Sequence, residues 1–454
     1  MTNKPQKLGL FPKLMFTLGQ TGWALTSFGA AQLIAYYYLP PDTGKEMFPS
    51  YIKQDYFFGV FTIVGIITAL CYLLSSLAEP YIANWSESST FKFGRRRPFL
   101  AIAIVPFALF SMLIFFPIYN GEGIINGWWL FGVLALMYFF MTLYVTPFNA
   151  LINEIAHNDE ERLSLVMFIS IGFALGYGIG GNNQFFLGVL EKKMPTEMAF
   201  RWIVGSYALL GFLLMLLPVI FIDEHKYCIK NPPNIITLKG MLEQVWGNEN
   251  FKTYAFVELL VWVPNTMFML GGPYFVTTLL FMPKENTSFA LIIVGVISFL
   301  LYGIIGKMAL KYGNKRLILI ALVFLVINFA FLGSLGWFEL PLWVLLTLFI
   351  ILNAFPIAVF GIIPMALTGD IASHDGEKTG IYKNAAFYGM KSFMMKIGIA
   401  LSQLIFPSLL LLGKTRENDL GIRMVAFVSL AFCIVAFILM LKYKEPVKIN
   451  QPTE

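Results

Sequence analysis

Charge is scarce in this sequence: Asp, Glu, Lys and Arg together make 13% of 454 residues, whereas 58% are apolar and 16% aromatic. So little polar surface cannot cover a water-soluble globule of this length, and the composition calls for lipid as solvent. Cysteine and histidine number only 3 each. Cys71, Cys228 and Cys433 lie far apart in or beside apolar runs, with neither pairing nor metal-ligand spacing. His157, His225 and His374 belong to no His-Glu-x-x-His pattern, and a Gly-x-x-x-x-Gly-Lys-Ser/Thr loop is missing. A metallohydrolase and ATP-driven transport therefore lack their apparatus, and the expectation is a protein that is not an enzyme and needs no metal or organic cofactor. The opening MTNKPQKLGLFPK runs directly into an apolar stretch without a small-residue cleavage site, so the first helix is expected to be retained. A net charge of +6 does not point to nucleic acid, because the basic residues form short clusters between apolar runs.

What is abundant is the apolar run of about 20 residues, the length that crosses a bilayer as a helix. Such runs fall near 13–38, 56–82, 98–118, 127–152, 163–188 and 202–222, then near 252–281, 288–310, 316–335, 341–367, 384–412 and 421–442. The pattern predicts an all-α membrane protein with twelve spans in two halves, 1–222 and 252–454, joined by a polar linker over 223–251. Within that linker Ile235, Leu238, Met241, Leu242, Val245 and Trp246 recur at helical spacing, which predicts a short amphipathic helix at the membrane surface. Lys and Arg favour one set of connecting segments by about two to one, the bias expected with both termini in the cytoplasm.

The halves echo each other. FKFGRRRPFL, Phe91 to Leu100, follows the second span, and LKYGNKRLIL, Leu310 to Leu319, follows the second span of the other half. Shared spacing of an aromatic, a Gly and basic residues is the mark of parallel repeats. The cations Arg95, Arg96, Arg97, Lys315 and Arg316 are placed to engage helix C-termini and acidic partners as a gate at the cytoplasmic ends.

Three segments carry a resemblance. LAEPYIANWSESSTFKFGRRRPFL from Leu77, TPFNALINEIAHNDEERLSL from Thr146 and GDIASHDGEKTGIYKNAAFYGMKSFMMKIGIAL from Gly369 are similar to motifs of the glycoside-pentoside-hexuronide:cation symporter family. That family belongs to the major facilitator superfamily and includes the melibiose permease; related sucrose-type transporters share the GRRRPF run. The resemblance implies a twelve-helix major facilitator fold and proton- or sodium-coupled sugar symport by alternating access. It assigns cation coupling to Glu79, Thr142 and Lys396, the lysine being able to pair with the site's carboxylates. It also shows departures: Ser75 stands in place of a second cation-site carboxylate, and Ala24, Val145 and Ser170 replace the charged residues of the galactoside site.

Read on their own, the intramembrane charges are Glu79, Glu258, Lys391 and Lys396, and charge at that depth lines a cavity or pairs with a partner. Glu79 can exchange a proton between two conformations or pair with the arginines of the following loop. Glu258, Trp262 and Asn265, with Asn149 in the fourth span, form a set suited to a sugar: carboxylate and amides for hydroxyls, indole for a pyranose face. Equally, Trp262 suits an interfacial belt and Glu258 an interhelical bond. Lys391 and Lys396 are five apart, out of phase on a helix, and Lys396 is taken as the one facing the cavity. Gln32, Asn149, Asn153, Asn182, Asn183 and Gln184 are amides for glue or ligand, and Gly172, Gly176, Gly178, Gly180 and Gly181 allow close approach or bending. Asp370, Asp375 and Glu377 around His374 are expected in a cytoplasmic loop making contacts between the halves.

The expected protein is a monomeric multi-pass transporter of the bacterial inner membrane that moves a small molecule, a sugar first, with H+ or Na+. A lysolipid or other amphiphile is the alternative cargo, and a non-transporting sensor of the same fold the alternative class.

Overall fold

The computed structural model describes residues 9–40, 50–57, 60–156, 159–228, 238–280, 285–337, 341–380 and 383–445. The first compact unit is Met1–Thr237 and the second Leu238–Glu454. In the first, α1 (Leu10–Tyr38) is followed by a hairpin of β1 (Tyr56–Phe57) and β2 (Phe61–Thr62), then α2 (Ile63–Glu87), α3 (Arg97–Leu113) and α4 (Ile124–Ile155). There follow α5 (Asp159–Gly181), α6 (Asn183–Glu191), α7 (Thr196–Phe221) and the single turn α8 (Glu224–Tyr227). The second unit holds the short α9 (Leu238–Val245), then α10 (Glu249–Tyr274) with a π-helical turn at Phe275–Leu279, and α11 (Glu285–Tyr312). It ends with α12 (Asn314–Gly333), α13 (Leu342–Thr379), α14 (Asn384–Leu410) and α15 (Leu420–Lys442).

Ten stretches among the described residues are long and apolar enough to cross a membrane, and α5 with α6 make one of them. The shorter apolar α3 and the 29-residue α1 complete six long helices per unit.

Within each unit the same helices touch. In the first, α1 packs on α5 and α7, α4 on α2 and α3, and α3 on α7. In the second, α10 packs on α14 and α15, α13 on α11 and α12, and α12 on α15. Numbering the six spans of each unit in order gives one identical pattern, so the repeat suspected from FGRRR and YGNKR extends to the packing of all six helices.

Close approach explains several contacts. A Cβ at Gly172 would lie 2.4 Å from the Thr17 carbonyl, one at Gly176 2.5 Å from that of Thr21, and one at Gly180 3.0 Å from Gly29 N, so these three glycines, four residues apart, let α5 lie on α1. Gly178 faces open space.

Some expectations are corrected. The second span begins at Ile63 rather than near 56, because Tyr56–Phe57 and Phe61–Thr62 pair as antiparallel strands and Thr62 caps α2 through Gly65 N. The fifth span breaks at Asn182, after its glycine run. The acidic segment placed in a loop continues α13 as helix to Thr379, where Gly380 ends it at φ +71°. Within the linker, α9 is a helix as expected, while Ile235 and His157 lie outside the described residues.

Candidate functional site

The basic motif of the first unit starts at Gly94, whose φ of +115° turns the chain into α3. The Glu224 carboxylate accepts from the backbone N–H of Arg95 (2.7 Å), Arg96 (2.9 Å) and Arg97, filling the donors left open at the start of that helix. A Cβ on Gly94 would meet that carboxylate at 2.4 Å, so the glycine is required twice, by angle and by space. Arg96 is buried, donating to Ser86 Oγ at 2.6 Å, to Glu154 Oε1 at 2.9 Å and to Glu87, which ties α2, α3 and α4 together. Arg95 reaches Glu154 at 3.4 Å, and Arg97 donates to the Val219 and Ile220 carbonyls at the end of α7. Burial pushes the Glu154 carboxyl up from the usual carboxylate range, against the pull of Arg96 and Arg95.

The second unit repeats this. Gly313, at φ +84°, precedes α12, and Glu445 accepts from Asn314 N at 2.7 Å and Lys315 N at 3.4 Å. Lys315 Nζ donates to the carbonyls of Leu441 (2.9 Å) and Tyr443 (2.6 Å) at the end of α15, and Asn314 Nδ2 to Asp370 Oδ2 at 2.8 Å. Arg316 is exposed. Asp375 accepts from Asn248 Nδ2 at 3.0 Å and lies 3.6 Å from Lys383 Nζ. These contacts of Asp370 and Asp375 join parts of the second unit.

Of the coupling candidates, Thr142 is buried and its hydroxyl lies 2.7 Å from that of Ser75, joining α4 to α2; Thr142 also donates to the Tyr138 carbonyl at 2.9 Å. Glu79 is half-buried one turn beyond Ser75, next to Pro80, which leaves the Ser76 carbonyl without its helical donor. A single carboxylate, two hydroxyls and the Ser76 carbonyl thus share one stretch of α2 and α4. Lys396 is half-buried on α14, in the other unit.

Four polar groups converge in the second unit. Glu258 is 4% exposed; its Oε2 accepts from Tyr254 OH at 3.0 Å, and its Oε1 from Trp262 Nε1 at 3.0 Å and from Lys391 Nζ at 3.0 Å. The lysine facing this carboxylate is Lys391. The reason is Gly398, seven residues on and on the same face: a Cβ there would stand 2.5 Å from the Leu259 carbonyl, so this face of α14 is the one pressed to α10. The i, i+7 pairing of lysine and glycine was the available signal. Asn265 is half-buried one turn beyond Trp262, and Asn149 on α4 is exposed.

The remaining amides divide. Asn183 is buried and donates to the Gly29 carbonyl at 3.1 Å, Asn182 donates to that of Gly178, and Gln184 is buried with its Oε1 unbonded, at the break between α5 and α6. Gln32 is half-buried, and the Asn153 side chain lies outside the described residues. No motif or spacing in the sequence marks Glu224, Glu445, Glu154 or Tyr254, whose partners come together only in the fold.

Comparison with known proteins agrees with this architecture. A relative at 23% identity is the uncharacterized symporter sll1374 of Synechocystis sp., over 91% of this chain and 86% of that one. The uncharacterized symporter YnaJ of Bacillus subtilis is 22% identical over 76% and 74% of the two chains. The sucrose transport protein SUC4 of Arabidopsis thaliana matches 26% of this chain at 29% identity. Among solved structures, the nucleoside transporter NupG superposes with a TM-score of 0.65 over 96% of this chain and 99% of that chain at 15% identity. A D-xylose-proton symporter gives 0.65 over 96% and 97%, also at 15% identity, and both show a shared major facilitator fold. The family model described as MFS/sugar transport protein matches residues 16–444, nearly the whole chain, and the chain belongs to that family.

Proposed function

We propose that this chain is a secondary active transporter that carries a saccharide across a bacterial inner membrane together with a monovalent cation, by alternating access. The observation that carries this reading is the Glu258–Lys391 pair, two opposite charges 3.0 Å apart at membrane depth in a chain of the sugar-transport family. A charge there costs about 2.5–3.5 kcal/mol even where it can snorkel, and such groups mark translocation pathways. Relatives named as symporters and a sucrose transport protein support both the coupling and the cargo.

In this reading Glu79, one turn from the Ser75–Thr142 hydroxyl pair, is the carboxylate that carries the cation, and Lys396 on α14 is a further residue assigned to coupling. Trp262 and Asn265 on α10 and Asn149 on α4 contact the sugar, with Glu258 as the anchor of the α10 set. The basic ends of both units face the cytoplasm, as the lysine and arginine bias supports.

Accumulation of labelled mono- and disaccharides by proteoliposomes under an imposed proton or sodium gradient tests this. Uptake of a sugar above its equilibrium level under one of the two gradients is expected. Absence of uphill accumulation for every sugar under both would refute saccharide symport and turn attention to amphiphilic cargo.

A further inference from the structure

Trp262 is the largest half-buried side chain among the residues proposed to contact sugar, and its one donor is already committed. The indole N–H points at Glu258 Oε1, 3.0 Å away, so that edge is closed to a ligand. The same oxygen takes the Lys391 ammonium at 3.0 Å, and the other carboxylate oxygen takes the Tyr254 hydroxyl, which also stands 3.2 Å from the Pro364 carbonyl on α13. Tyr254, Glu258 and Trp262 follow one another at four-residue intervals on one face of α10, while Lys391 comes from α14. Gly398 sets the spacing of these helices, since a Cβ there would lie 3.2 Å from the Trp262 Cβ. Glu258, held by three donors and 4% exposed, keeps a single lone pair, on Oε2, too few to take sugar hydroxyls in the bidentate manner expected from sequence.

We propose that Lys391 and Glu258 are positioning residues that fix the orientation of the Trp262 indole, so that this tryptophan presents its ring face, not its N–H, to the substrate. The inference rests on the saccharide reading above and narrows it: the ligand is a pyranose that offers a C–H face for stacking on the indole. The lysine supplies more than neutralisation. Without its ammonium the carboxylate is buried and unpaired, and it moves to find water or a proton, taking the indole with it. Glu258 thereby changes from a sugar-binding acid to a support for the residue that binds.

The full chain, labelled with 5-fluorotryptophan and held in lipid nanodiscs, reports the indole directly. Trp262→Phe identifies its 19F resonance by loss. Glu258→Gln and Lys391→Gln should each shift or broaden that resonance without any sugar present. In proteoliposomes both variants should raise the KM for the accumulated saccharide by about tenfold, one stacking contact's worth, while lowering the maximal rate much less. Glu258→Gln combined with Trp262→Phe should be no worse than Trp262→Phe alone. The double variant Glu258→Gln with Lys391→Gln, which removes both charges together, guards against misfolding and should show the same displaced resonance. An unmoved resonance in these variants overturns the proposal, as does loss of gradient-driven accumulation at unchanged KM, which would make the pair a coupling element. A wild type that moves no saccharide refutes the transport reading, while the resonance still decides the positioning.

Discussion

Glu224 and Glu445 occupy equivalent places in the two halves: each stands three residues beyond the last long helix of its unit, and each caps the backbone of the third. The geometry predicts a matched loss. Glu224→Gln keeps the shape but gives up charge-assisted bonds to the N–H groups of Arg95, Arg96 and Arg97, which should cost about 1.5–3 kcal/mol. Glu445→Gln, with two such bonds, should cost less. Thermal unfolding of the purified protein in one detergent measures both, and equal Tm values for wild type and Glu224→Gln would contradict the capping role.

Burial and the arginines oppose each other at Glu154, and burial prevails, so its carboxyl titrates above the usual range. For an acid raised in the folded state, the associated stability is full below the unfolded value and is lost as pH rises through the folded one. Wild-type stability should therefore decline from the ordinary carboxylate range upward by a component that Glu154→Gln lacks. Melting curves taken at several pH values from about 4.5 to about 8 test this, the two proteins diverging steadily as pH rises. Parallel curves would remove Glu154 as the source.

The span pattern, the two halves and the GRRR and GNKR motifs were legible because each is a local sequence property: run length, charge and spacing. What holds those motifs was not. A glutamate three residues past a helix looks like any polar linker residue, and only the fold brings Glu224 back to α3. Lys391 and Lys396 were both visible, yet which of them meets Glu258 depends on the face of α14 that lies on α10, and Gly398 marks that face through backbone contact. The α13 extension to Thr379 was masked by its own polarity, since Asp370, Asp375 and Glu377 resemble a loop until their partners are seen.

The α1–α5 seam should be intolerant of any side chain at Gly176. A Cβ there would stand 2.5 Å from the Thr21 carbonyl and 2.8 Å from the Ala24 Cβ, and neither backbone can yield without moving the helix. Gly176→Ala is expected to cost about 1–3 kcal/mol, the usual penalty of overpacking. Gly178→Ala, facing open space two residues on, should leave Tm nearly unchanged. The contrast between neighbouring glycines separates packing from a general effect of helix propensity, which favours alanine at both positions.

Glu79 is the sharpest test of coupling, because the neighbouring position that could share its charge is Ser75, already bonded to Thr142. With one carboxylate in this stretch of α2 and α4, removing its charge leaves hydroxyls and carbonyls alone to meet the cation. Glu79→Gln should abolish accumulation of saccharide against its gradient while exchange of internal for external sugar persists, since exchange needs no net movement of the cation. Glu79→Asp, which keeps the charge on a shorter arm, should restore part of the accumulation. Counterflow and gradient-driven uptake measured on the same proteoliposomes distinguish these steps. Uphill uptake by Glu79→Gln with the wild-type dependence on pH and sodium would take Glu79 out of the coupling mechanism and leave the Glu258–Lys391 pair as the remaining intramembrane carboxylate to examine for that role.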